Sequence, residues 1–276
     1  MEETKKKFID IEGLFRSKNP TLLKWMPRFI LRFIKRLLHE DQINDFMYRH
    51  RNSNAYEFSA GVPIEMGVTI ESTGLENIPP TGRCVIVANH PLGGLDGMSL
   101  VPEIAKVRKD ISFIVNDILL NLTNLKEIFV GVNKHGRSAT AQMQELDNIF
   151  ASQKAVFLFP AGLVSRKIDG KIQDLEWKKT FVTRARKYQS PIIPVYIYGQ
   201  NRPFFYNLSL WRKRLGIKAN IEMILLPDQM YKQKGQKIKF VVGKPISPEE
   251  LAKHPNDKEA AKWIREQLYS LKAQIK

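Results

Sequence analysis

Hydrophobic positions along this chain fall into two rhythms. Beyond residue 60, short β-branched runs alternate with longer amphipathic stretches. The short runs predict strands near 68–71, 84–88, 111–115, 129–132, 155–159, 192–198, 220–226 and 237–242. The longer stretches predict helices over 97–108, 117–127, 137–151 and 176–188, with a terminal helix over 257–273. Alternation of this kind predicts an α/β fold. Residues 51–59 read as a polar connection and 227–237 as a surface loop between late strands.

The beginning of the chain follows a different rule. Residues 16–36 hold seven basic side chains and no acidic one, among Leu22, Leu23, Trp25, Met26, Phe29, Ile30, Phe33 and Ile34. Lys24, Arg28, Arg32 and Arg36 recur at every fourth position and share one helical face, with Trp25, Phe29 and Phe33 covering much of the rest. Such a segment either lies in a membrane interface or packs its apolar stripe on its own domain. The breadth of the apolar face exceeds what one core seam needs, which favours membrane contact. Pro27 either kinks this helix or begins it. The expected division is a membrane-associating region over 1–60 and an α/β domain over 61–276.

Composition narrows the partners. The 276 residues carry 44 Lys and Arg against 28 Asp and Glu, a formal charge of +16, with 43% hydrophobic and 26% charged residues. That is an ordinary globular balance and excludes a disordered chain. The charge calls for an anionic partner: nucleic acid, an acidic membrane, an acidic carrier protein or a phosphorylated substrate. Zinc-finger spacing and ribonucleoprotein-type aromatics are both missing, so specific nucleic-acid binding is the weaker reading. A lone cysteine, Cys84, forbids an internal disulfide and any multi-cysteine metal site. No apolar stretch of signal-peptide or membrane-spanning length is present, so neither secretion nor a membrane span is expected.

Two expected strand ends carry the chemistry. VIVANHPLGGLDG delivers Asn89, His90, Gly93, Gly94 and Asp96 from a strand to a helix start, where α/β sheets bind their ligands. AVFLFPAGLVSRK runs a second strand into Phe159, Pro160, Gly162, Ser165 and Arg166. A neutral imidazole with a carboxylate on its other nitrogen is a general base with its orienter. With no G-x-S-x-G elbow and Cys84 inside a strand, the substrate must bring its own nucleophile, such as a hydroxyl attacking an acyl carbonyl, with backbone amides at Gly93 and Gly94 as oxyanion donors. Asp96 as a helix cap and His90 as a satisfied strand-end residue are the structural alternative. His39, His50, His135 and His254 read as surface residues. Arg166 and Lys167 either hold an acceptor's phosphate or carboxylate or are solvated loop charges, the first being favoured. Asp174, Trp177, Lys178 and Lys179 are expected along the same crevice, Trp177 equally as core.

NHPLGGLDG resembles the first motif of the glycerophospholipid and lysophospholipid acyltransferases. KEIFV at 126–130 resembles their second motif, FPAG at 159–162 the third and PIIPV at 191–195 the fourth. The resemblance implies a mixed, largely parallel sheet flanked by helices, and transfer of a fatty acyl group from an acyl carrier protein or coenzyme A thioester to a lysolipid hydroxyl. It implies His90 and Asp96 as the catalytic pair, and no cofactor or metal. Substrate-binding positions follow from the matched motifs: Asn89, Gly93, Gly94, Phe159, Pro160 and Gly162, with Arg137, or its rival Lys134, for the second motif's arginine; Ser165 and Arg166, just after the third motif, join them from the reading of the strand end. Lys24, Trp25, Arg28, Phe29, Arg32, Phe33 and Arg36 are the expected membrane contacts, on the cytoplasmic face of the cell membrane as a peripheral or monotopic protein. Three departures stand out: five residues rather than four separate His90 from Asp96, Ala161 stands where the family has Glu, and the basic pattern after the second motif is spread out. These are similar to a hemolysin-like bacterial subgroup that includes enzymes proposed to acylate lyso amino-acid lipids. A non-catalytic membrane-perturbing protein with a degenerate core is the rival from another class.

Overall fold

The computed structural model of the chain describes residues 7–131 and 139–275. It opens with helices α1 (Ile11–Lys18), α2 (Pro20–Trp25), α3 (Arg28–Leu37), α4 (Glu40–Arg49) and α5 (Ala55–Glu65). The single helix expected over 16–36 is thus three short ones, and the breaks have causes. Asn19 caps α2 by accepting from Leu22 N at 3.0 Å, and Pro20 takes a first-turn position that needs no N–H. Pro27, immediately before α3, marks a start rather than a kink. Asn54 and Glu57 form a capping box that starts α5 inside the stretch expected as a connection. Ala55, Phe58 and Val62 of α5 are core residues, so the division expected at 60/61 falls within a packed helix.

The remaining elements are β1 (Thr69–Thr73), β2 (Cys84–Ala88), α6 (Gly94–Ala105), β3 (Ile111–Val115), β4 (Phe129–Gly131), α7 (Ala139–Ala151), β5 (Ala155–Leu158), β6 (Arg166–Ile168), β7 (Lys171–Gln173), α8 (Thr180–Lys187), β8 (Ile192–Tyr198), α9 (Pro203–Arg214), α10 (Leu226–Tyr231), β9 (Lys237–Val242), α11 (Pro248–Ala252) and α12 (Asp257–Ser270). Seven strands form one sheet in the order β1-β9-β8-β2-β5-β3-β4. Every neighbouring pair is parallel except β8 with β9. This is an α/β fold with a mixed, mostly parallel sheet flanked by helices. β2 is buried throughout, as a central strand covered on both faces requires. Its residues alternate between two cores. Cys84, Ile86 and Ala88 join Phe58 of α5 and Leu95 and Ile104 of α6. Val85 and Val87 join Phe181 of α8 and Ile264 of α12 on the other face. The Cys84 thiol sits 3.8 Å from Arg108 Nη1, and burial pushes its pKa up to about 11.

Three further expectations fail. Residues 220–226 form no strand: Ile221–Leu225 is a 3-10 turn, because Glu222 is drawn inward to two arginines and Pro227 starts a helix. That helix, α10, occupies the expected loop, with Gln229 fully buried. Residues 117–127 form two 3-10 turns rather than a helix, the first capped by Asn116. The hairpin β6–β7 and helix α9 were not expected.

Candidate active site

β2 and β5 are parallel neighbours, with Val87 opposite Leu158, so both chains leave the sheet at the same end. One exit carries Asn89 and His90, the other Phe159 to Val164. The exits are fastened together. Phe159 lies flat on the His90 imidazole, ring centroids 4.0 Å apart and planes 18° apart, and Ser165 N donates to His90 O at 2.8 Å. Phe113 and Phe157 press edge-on against Phe159 and fix the stack from below.

His90 Nδ1 stands 2.9 Å from Asp96 Oδ2. The same oxygen accepts from Leu92 N at 2.8 Å and Gly93 N at 3.1 Å. Asp96 has no exposed surface; burial pushes its carboxyl above the ordinary carboxylate range, while the imidazole and the Leu92 amide pull it back. The five-residue spacing is absorbed at Gly93, whose φ of 80° and ψ of −136° are open to glycine, and which places Asp96 in the first turn of α6. With the Nδ1 proton assigned toward the carboxylate, Nε2 keeps its lone pair and makes no hydrogen bond among the described residues. The arrangement is chemically able to take a proton from a group arriving from outside.

The two candidate oxyanion glycines differ. The Gly93 N–H is committed to Asp96, whereas the Gly94 N–H has no acceptor among the described residues, and a side chain at Gly94 would meet nothing within 4 Å. The neighbouring Gly97 is required for another reason: a Cβ there would stand 2.7 Å from the Phe113 ring, so only glycine lets α6 lie this close to β3.

Asp174 holds the site from behind. Fully buried, it accepts from His90 N at 3.1 Å, Ser165 Oγ at 2.5 Å and Trp177 Nε1 at 2.9 Å. Its own N–H donates to the Tyr269 hydroxyl, and its carbonyl accepts from Arg265. Burial raises the Asp174 carboxyl, with Ser165 and Trp177 opposing. Expected along the crevice, Asp174 is instead interior, and Trp177 takes the core position that was its equal alternative; an acid three residues before a tryptophan was the only local sign.

A family model described as Acyltransferase matches residues 14–276. The chain belongs to this acyltransferase family. It is 36% identical over 264 residues to a lyso-glycine lipid O-acyltransferase of Phocaeicola vulgatus, covering 95% of each chain. A lyso-glycine lipid O-acyltransferase of Bacteroides thetaiotaomicron is 34% identical over 264 residues, covering 95% of this chain and 97% of the relative. Among solved structures, the 1-acyl-sn-glycerophosphate acyltransferase PlsC of Thermotoga maritima superposes at a TM-score of 0.49 with 17% identity, over 91% of this chain and all of that one.

In this acyltransferase the remaining expected site residues divide. Asn89 is an internal clamp, exchanging hydrogen bonds of 2.9 and 2.7 Å with the backbone of Ile197 and tying β2 to β8. Ser165 is buried in the Asp174 network. Pro160 is buried and its carbonyl accepts from Lys178 N, while Gly162 is exposed with φ 67°. The Lys178 ammonium lies 3.5 Å from where a Gly162 Cβ would stand. Arg166 does not face an acceptor: it is 2% exposed, paired with Glu222 at 2.8 Å and laid over the Phe205 ring, because Glu222 and Arg212 complete an interior ion triad. Lys134, His135 and Arg137 lie outside the described residues. His39 is not a surface residue either; it stacks on Tyr231 at 4.0 Å and sits 3.5 Å from Asp228. Two surface depressions, one bordered by Arg51 and Glu127 and one by Arg186 and Pro248, include no residue of the His90 loop.

No residue of α2 or α3 is buried. Trp25, Phe29 and Phe33 are 79%, 71% and 62% exposed, beside exposed Lys24, Arg28, Arg32 and Arg36. Lys35 turns away to Glu12 at 2.9 Å.

Proposed function

We propose that this enzyme esterifies the free hydroxyl of a lyso amino-acid lipid, of the lyso-glycine class named for its relatives, using an acyl carrier protein or coenzyme A thioester. The reading rests on one observation above all: an imidazole fixed by a buried carboxylate, with Nε2 open, where two neighbouring parallel strands leave the sheet. His90 Nε2 takes the hydroxyl proton as the alkoxide oxygen attacks the thioester carbonyl. Asp96 stabilises the imidazolium, and the Gly94 N–H faces the developing oxyanion. Collapse of the tetrahedral intermediate breaks the carbon–sulfur bond, and the proton passes from His90 to the departing thiolate. The products are the O-acylated lipid and a free thiol.

The acceptor class is supported by the third motif's loop. Ala161 removes the acid that the resemblance leads one to expect, and Lys178 adds a cation beside Gly162. A loop with that charge suits an acceptor ending in a carboxylate. Among the described residues no helix is long and apolar enough to cross a membrane. The exposed faces of α2 and α3 seat the enzyme on the cytoplasmic surface of the bilayer, where both thioester donors occur.

Mass spectrometry of products tests the proposal. Wild type and His90→Ala receive both thioesters with lyso-glycine lipid, lysophosphatidic acid and other lysophospholipids. Wild type is expected to form diacylated glycine lipid, and His90→Ala to be slower by roughly two to four orders of magnitude. Equal rates for the two proteins would remove His90 from the chemistry, and a preference for lysophosphatidic acid would overturn the acceptor.

A further inference from the structure

Between β8 and β9 the chain makes an excursion over 199–236 that the catalytic reading does not use. Its inner side is bound into the protein. Phe205, Ser209 and Arg212 form a buried stripe of α9, Arg212 closing on Glu222 at 2.6 Å. Asn201 Nδ2 donates to Pro91 O at 3.0 Å in the catalytic loop, and Leu226 methyls stand 3.3 Å from a Cβ position on Gly93. Leu37 at the end of α3 packs on the same Phe205–Tyr206–Leu225 cluster. The excursion therefore bridges the His90 loop and the N-terminal helices.

Its outer side is unlike a solvated surface. Phe204, Leu208, Trp211 and Leu215 recur at helical spacing, and Phe204, Trp211 and Leu215 are 52%, 50% and 74% exposed. Ile217 and Ile224 of the same excursion are also exposed. Residues 199–221 contain five basic side chains and no acidic one. Only Arg212 of these is buried; Arg202, Lys213, Arg214 and Lys218 are exposed. Exposed large apolar groups among unopposed cations match the chemistry of one partner, an anionic bilayer surface, in which apolar groups enter the acyl boundary and cations meet headgroups. An acidic carrier protein would use the cations and leave the apolar stripe without a role.

We propose that this excursion is a second bilayer-contact surface, set beside the catalytic loop and separate from α2 and α3. Seating it there brings the bilayer surface up to the His90 loop.

Trp211 supplies the test. In a Trp25→Phe variant, Trp211 is the exposed tryptophan, since Trp177 is buried and Trp263 half-buried. Vesicles of phosphatidylcholine and phosphatidylglycerol, with and without brominated acyl chains, are expected to shift its emission to the blue and quench it. A Phe204→Glu, Leu215→Glu pair, both at exposed positions, is expected to lower vesicle affinity about tenfold with an unchanged melting temperature. Unshifted, unquenched Trp211 in protein that co-sediments with vesicles would overturn the proposal. So would unaltered affinity of the glutamate pair, or a Trp211 response to acyl carrier protein and not to vesicles. Quenching requires no turnover, so the proposal and the acceptor assignment succeed or fail separately.

Discussion

Arginine beside phenylalanine occurs in two regions of this molecule, with opposite outcomes. Arg166 lies over Phe205 and is buried; Arg28 and Arg32 alternate with Phe29 and Phe33 on α3 and are exposed. The pattern of base and aromatic does not decide between these fates. A carboxylate does. Glu222, 56 positions after Arg166, reaches it and Arg212 together, whereas among the described residues α3 is met by Glu12 alone, which takes Lys35. An interior guanidinium needs its charge and donors met, so a basic segment without an acid stays outside and is free to meet an anionic surface.

The largest expected effect breaks the interior case. Glu222→Ala leaves two buried guanidinia unpaired and is expected to cost about 4 kcal/mol in a denaturant melt, loosening α9 from β6. Stability unchanged by that substitution would mean that the triad does not hold the excursion. Next comes Asp174→Asn, which puts an amide where the carboxyl group meets His90 N, Ser165 Oγ and Trp177 Nε1, for about 2 kcal/mol in an acid-pH melt.

These two carboxylates are expected to show opposite pH signs. Burial pushes Glu222 up, but Arg212, its own backbone and Arg166 bring it below the ordinary range. Its stabilisation is present above the unfolded carboxylate pKa and lost as pH falls through the lowered native value, so the gap between wild type and Glu222→Gln closes on acidification. Asp174 is raised by burial. Its contribution is complete below the unfolded pKa and lost as pH rises through the raised native value, so the gap between wild type and Asp174→Asn closes toward neutral pH. Parallel slopes in melts across pH would refute the assignment. The smallest effect sharpens the exterior case: Arg32→Ser is expected to leave the melt unaltered and to weaken binding to anionic vesicles about fivefold.

What could be read ahead of the structure follows from sequence distance. His90 and Asp96 sit in one strand–turn–helix, so their pairing was legible within a single window. The interior fate of Arg166 depended on Glu222, far along the chain and inside a run whose aliphatic residues read as a strand. Helix α9 escaped because apolar side chains occupy both its inner and outer stripes, and a base, Arg212, sits in the buried one. The β6–β7 hairpin did leave a sign, Asp169-Gly170, whose φ angles of 49° and 77° suit a tight hairpin turn. Strands of three residues on either side were too short for a period of two to register.

Cys84 gives the central strand a built-in clock. Its thiol lies in β2, six residues before His90, with a pKa near 11 and 1% exposure, so alkylating reagents find almost no thiolate while the sheet is closed. With one cysteine in the chain, the labelling rate in native protein measures how often the central strand that leads to the catalytic loop opens. The same label, counted in Asp174→Asn and Glu222→Ala, separates damage that spreads to β2 from damage confined to the excursion.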